Sequence, residues 1–112
     1  MKFTLLYKLF KIPTNLEELL DNAKREGEKK IHILGDYSTN MAYPGGGFHS
    51  VDVSINVRYF HGKEIREISA YRTSSKSPGY KADLRIKDIK ERIEKSGLEV
   101  KTIRNNRRIR NN

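Results

Sequence analysis

The chain has 112 residues, 36% apolar and 33% charged, a lean supply of core and a length that suits one domain of the usual ~100–150 residues. Absence of cysteine excludes a disulfide framework, a thiolate metal site and a thiol nucleophile, and fits a reducing, cytoplasmic setting. The formal net charge of +9 points toward polyanionic partners, and no apolar run reaches the roughly 20 residues of a membrane span.

In chain order, residues 2–10 read as a strand with Phe3, Leu5, Tyr7 and Leu9 on one side. Lys8 and Lys11 interrupt this apolar run before it could form the core of a signal peptide. Pro13 breaks the pattern. Thr14 and Glu17 have capping-box spacing, and Leu16, Leu19, Leu20 and Ala23 recur at helical spacing before Gly27, which predicts a helix over 14–26. Lys30–Leu34 reads as a short strand stopped by Gly35-Asp36. A long irregular segment from Tyr37 to Phe48 follows, containing Pro44-Gly45-Gly46-Gly47.

The strongest periodicity comes next. Val51, Val53, Ile55, Val57 and Tyr59 alternate with Asp52, Ser54, Asn56, Arg58 and Phe60, the pattern of a half-buried strand. Gly62-Lys63 suits a two-residue turn that pairs His61 with Glu64 and returns the chain through residue 73. In that register Val57 meets Ile68, Ile55 meets Ala70, Arg58 meets Glu67 and Ser54 meets Tyr71. Thr73 to Gly79 is a polar connector. Asp83 is expected to cap a helix over 84–96 that covers Ile86, Ile89, Ile93, Leu84 and the Arg92 stem, with Gly97 ending it. Leu98, Val100 and Ile103 predict a terminal strand. The expected fold is α+β, a single small domain over residues 1–103 in the order (β)αβββαβ, with two helices on one face of an antiparallel-containing sheet. Residues 104–112 are expected to form a basic flexible tail.

The last twelve residues contain Lys101, Arg104, Arg107, Arg108 and Arg110 and no acid. An Arg-rich segment with two aliphatics cannot bury a face of its own, and its natural counterpart is a phosphate backbone. A second basic group, Arg72, Lys76, Lys81 and Arg85, is interleaved with Tyr71 and Tyr80, which adds stacking surfaces. These nine cations are the candidate nucleic-acid contacts, for RNA or DNA. No helix-turn-helix, zinc finger or RNP sequence is present, so the expected binding is electrostatic rather than base-specific. The alternative is a small protein-binding accessory or inhibitor that docks a partner, or a second copy of itself, through Phe60, Ile65 and Tyr71.

Three histidines remain. His32, His49 and His61, with Asp36 and Asp52, lack the i, i+4 spacing of a helical metal site, and Asp52 falls on the opposite strand face from His49, so neither a metal nor another cofactor is expected. No Gly-Lys-[Ser/Thr] follows the glycine run, and no Gly-x-Ser-x-Gly surrounds the serines. His49, at the end of a glycine-rich loop, is the one candidate catalytic residue, as a general base on a ribose 2′-hydroxyl. Gly47-Phe48-His49, within an order of helix, three strands and helix, resembles the double-stranded-RNA-binding-domain-like fold of HicA-type ribosome-independent mRNA interferases. Their Gly-Ser-His motif would fall here with Phe48 in place of serine. That resemblance implies a His49-dependent endoribonuclease.

Overall fold

The computed structural model describes residues 13, 15–41, 49–75 and 79–110. The strand expected over 2–10, the glycine run at 45–47 and Lys76 lie outside them. Helix α1 (Leu16–Arg25) begins at Asn15 rather than Thr14, with the Asn15 Oδ1 accepting from the Glu18 N–H at 2.9 Å. Glu17 and Glu18 in the first turn and Lys24 and Arg25 in the last complement the helix dipole. Its apolar stripe of Leu19, Leu20 and Ala23 is buried.

Four strands form one mixed sheet in the order β3-β2-β1-β4: β1 (Lys30–Met41), β2 (His49–His61), β3 (Glu64–Ser75) and β4 (Glu99–Arg110). The β2–β3 turn falls at Gly62-Lys63 as the sequence predicts, with Gly62 at φ +61° and His61 opposite Glu64. Strand β1 runs on to Met41 instead of stopping at Gly35. Gly35 is a place of close approach: a Cβ there would lie 3.2 Å from Ile86 Cδ1 and 3.2 Å from Tyr37 Cε1, so glycine lets a helix sit down on the strand. The long irregular segment expected over 37–48 is therefore strand through 41.

Helix α2 (Gly79–Lys95) crosses from the β3 edge to the β4 edge, the connection that two strands of the same direction require. It starts before Asp83, so Asp83 is an internal helical residue rather than its cap. Ile89 and Ile93 are buried and Ile86 packs against the core, whereas Leu84 remains 49% exposed. Gly97, at φ +87°, ends the helix, and Glu99 N–H donates to the Lys29 carbonyl at 2.7 Å. That bond starts the parallel β1/β4 ladder, which continues to Met41 opposite Arg110.

Residues 104–110, expected as a flexible tail, are thus the second half of an edge strand. Their backbone finds partners along residues 35–41 of β1, and an edge strand exposed on one side needs few apolar residues to be held. The core lies between the helices and one sheet face, where Ile31, Ile33, Val53, Ile55, Val57 and Tyr59 are buried. No described helix covers the other face, and none is long and apolar enough to cross a membrane.

A β-bulge between Ile55 and Asn56 changes the expected β2/β3 pairing. Arg58 meets Glu67 and Val57 meets Ile68 as predicted, and Asn56 meets Ser69 in the same register, but Ile55 meets Tyr71 in place of Ala70. Ala70 is the extra residue, so every later residue of β3 swaps face. Tyr71 turns to the helix side and Arg72 pairs with Ser54 on the open side.

Candidate nucleic-acid interface

Alternation places His32 of β1, Arg58 and Phe60 of β2, and Lys101 of β4 on the open face. Register brings them together, because His32 is opposite both Arg58 and Lys101. Phe60 is 41% exposed, with the Arg58 guanidinium carbon 5.5 Å from its ring centroid. The His32 ring meets it edge-on at 5.3 Å. Ile65, directly opposite Phe60 on β3, is 51% exposed and extends this apolar surface.

The local field is positive. The His32 imidazole is held below its ordinary value of 6.5, first by burial and then by Lys30, Lys101 and Arg58. Arg58 Nη1 reaches Glu67 at only 3.9 Å, and its Nε is buried without a hydrogen-bond partner. A guanidinium held in this way over a ring, at the cost of an unsatisfied donor, is an arrangement that needs a functional or structural reason.

The nine candidate cations divide between surfaces. Arg72 and Lys101 lie on the open face. Lys81 is exposed on α2, and Arg85 stands over the Tyr71 ring at 5.4 Å. Arg104 lies on the helix side, 4.1 Å from the Tyr37 centroid, with Nη1 3.6 Å from Asp83 Oδ1. Tyr37 donates its hydroxyl to that same carboxylate oxygen at 3.2 Å, and burial, opposed by Arg104, raises the phenol above its ordinary range. The backbones of Arg107, Arg108 and Arg110 pair with Ser38, Thr39 and Met41. Lys76 lies outside the described residues. His49 opens β2 with its backbone opposite Met41, and Gly47-Phe48 also lie outside. Tyr71 does not join Phe60 and Ile65, because the bulge sends it to the other face.

Sequence reasoning missed His32 and Arg58 as site residues. The signal was present in the strict alternation of β2, which puts Arg58 beside Phe60, but the partnership of β1 with β4 that brings in His32 and Lys101 has no local sequence signature.

A second polar cluster sits where α1 meets the hairpin. Glu26 Oε1 accepts from the Tyr59 hydroxyl at 2.5 Å and from Arg66 Nε at 3.2 Å. Its Oε2 faces Arg66 Nη2 at 3.2 Å and His61 Nε2 at 3.3 Å. The other ring nitrogen of His61 lies 3.2 Å from Glu28, and Arg66 Nη1 pairs with Glu64. Three donated hydrogen bonds, one from Tyr59 and two from Arg66, hold the carboxylate, which makes Glu26 an anchor rather than a base. Among the described residues no group of three or more His, Asp or Glu is placed to hold a metal ion.

No known protein family, curated protein or solved structure matches the chain.

Proposed function

We propose that this is a small basic nucleic-acid-binding protein that lays a single strand across the open face of its sheet. The observation that carries the reading is Phe60, two-fifths exposed and flanked by Arg58 and His32 within a field set by Lys30 and Lys101. Aromatic rings and guanidinium planes stack unpaired bases, and lysines follow the phosphates. A duplex, whose base faces are hidden, makes less use of such a surface. Cations on α2 and β4 add a longer-range attraction that speeds encounter. The same reading puts the protein in the cytoplasm, which its lack of cysteine suits.

The test is fluorescence anisotropy with a labelled ten-nucleotide RNA across a salt series. Phe60→Ala should weaken binding by about 1–3 kcal/mol, the worth of one stacked base. Absence of binding at low salt, or affinity indifferent to Phe60→Ala, would overturn the reading.

The exposed pair Phe60 and Ile65, opposite each other on the sheet, favours a second reading in which the same face docks a protein partner or another copy of the chain. Sedimentation of the free protein separates the two. Self-association weakened by Ile65→Lys would support docking, while a monomer that binds RNA in a salt-dependent way supports the first reading.

A further inference from the structure

At the opposite end of the open face the sheet carries two polar rows. Asp36 of β1 is opposite Ser54 of β2, which is opposite Arg72 of β3; Ser38 is likewise opposite Asp52, which is opposite Ser74. The six side chains line one concavity of about 430 Å³. From Phe60 to Ser54 along β2 is roughly 20 Å at about 3.3 Å per residue, a few nucleotides of extended single strand.

The order of groups across the first row is asymmetric: a carboxylate, a hydroxyl, then a guanidinium. Adjacent strands are about 4.8 Å apart, so the acid and the guanidinium stand on backbones roughly 10 Å from each other, with Asp52 on the diagonal between them. A ligand fitting this row offers hydrogen-bond donors on one edge and acceptors on another, a few ångströms apart once a hydrogen bond of about 2.9 Å at each end is taken from that span. Guanine does so. Its N1–H and N2 amino group suit a carboxylate, and its O6 and N7 suit a bidentate arginine. Adenine has acceptor N1 where guanine has a donor, and uracil has a single N–H. A carboxylate has about four acceptor positions, so Asp36 and Asp52 can receive a base edge alongside the protein contacts each already makes.

We infer that the concavity formed by Asp36, Ser54, Arg72 and Asp52 is a guanine-selective pocket for a base a few nucleotides along the strand from the one that stacks on Phe60. This rests on the proposed single-strand binding, and it adds base selectivity where the sequence suggested only phosphate contact.

Three nine-nucleotide RNAs decide it: all-uridine, the same with one central guanosine, and the same with inosine in its place. The guanosine strand should bind about tenfold tighter than all-uridine, within the range set by one mismatched position. Inosine, lacking the N2 amine, should forfeit several-fold of that gain. Arg72→Ala should remove the guanosine preference, as should the near-isosteric Asp36→Asn paired with Asp52→Asn, which controls for folding. In both variants the quantity read is the ratio of guanosine-strand to all-uridine affinity, which should fall to about one whatever the change of charge does to the two RNAs together. Binding of all three RNAs with equal affinity would overturn the pocket and leave the single-strand reading standing. Failure of any RNA to bind would overturn both.

Discussion

Arg66 grips the Glu26 carboxylate through two parallel hydrogen bonds of 3.2 Å, Nε to Oε1 and Nη2 to Oε2, fastening the end of α1 to the β2–β3 hairpin. The Glu26 side chain is 3% exposed, so removing its partner strands a charge away from water. Arg66→Ala should cost about 3–5 kcal/mol in urea unfolding at neutral pH, as for other broken buried pairs. An effect below about 1 kcal/mol would show that the pair is water-accessible.

The same network sets an acid limit. Burial alone raises the Glu26 carboxyl, but donation by Tyr59 and Arg66, with the nearby positive charge, outweighs it and leaves the group below its ordinary 4.5. A depressed carboxyl contributes stability in full above its unfolded value and loses it as pH falls through the folded one. Glu26→Gln should therefore destabilise the protein at pH 7 and progressively less below about pH 4, closing the gap with the native protein. Parallel acid-unfolding curves for the two would contradict the assignment.

In the core, Ile55 is fully buried while its neighbour Asn56 lies on the open face. Ile55→Ala should cost about 2–5 kcal/mol, because the layer cannot close over the cavity, and Asn56→Ala about 0.5 kcal/mol or less. Equal costs, measured by denaturant midpoint, would mean that the face assignment is reversed.

Gly35 gives a sharper packing test. Alanine there would press on Ile86 Cδ1 and Tyr37 Cε1 at 3.2 Å each, and overpacking of this kind costs about 1–3 kcal/mol. Ile86→Val removes the Cδ1 atom, so the double variant should be less destabilised than the sum of the singles by at least about 0.5 kcal/mol. Additivity would place the strain elsewhere.

These tests rest on features that differ in how far the sequence revealed them. The alternation of β2, the Gly62-Lys63 turn and the α1 stripe are local patterns, and each was legible. Three features were not. Gly35 reads as a strand stop because its role depends on Ile86, 51 residues further along the chain. The bulge at Ala70 has no glycine to announce it, yet it decides which side Tyr71 and Arg72 face. Residues 104–110 read as a tail because their composition cannot form a core, but a parallel edge strand draws its backbone bonds from β1 and asks little of side chains. Of the candidate site, Arg72 and Lys101 were legible as cations; their gathering with His32, Arg58 and Phe60 on one face follows from strand order, which is non-local.

Strand parity separates two cations that composition treats alike. Lys101 lies on the open face, whereas Arg104 stacks on Tyr37 and pairs with Asp83. Lys101→Ala should reduce the slope of log affinity against log salt by about 0.7 for a single strand, the share of one neutralised phosphate. Arg104→Ala should leave the slope nearly unchanged and lower stability modestly instead. The reverse pattern would move the interface to the helix side. Deleting residues 101–112 is a poor substitute, since it removes most of β4 and bares the edge of β1.

His32 provides a signature of where the polyanion lands. In the free protein its imidazole titrates below 6.5, through burial and through Lys30, Lys101 and Arg58, so its neutral form is favoured and this contribution to stability is lost as pH falls below that value. A phosphate backbone that neutralises those three cations removes their share of the depression and raises the bound-state value. The complex then holds more proton than the separate molecules, and by linkage the affinity must rise as pH falls from the bound value toward the free one. The gain from a single group is at most about tenfold per pH unit, and it levels off once His32 is protonated in both states. NMR titration of the His32 ring with and without an all-uridine RNA measures the shift directly. His32→Ala should abolish this part of the pH dependence while leaving the salt slope in place. An unmoved His32 titration under saturating RNA would put the strand somewhere other than the Phe60 platform.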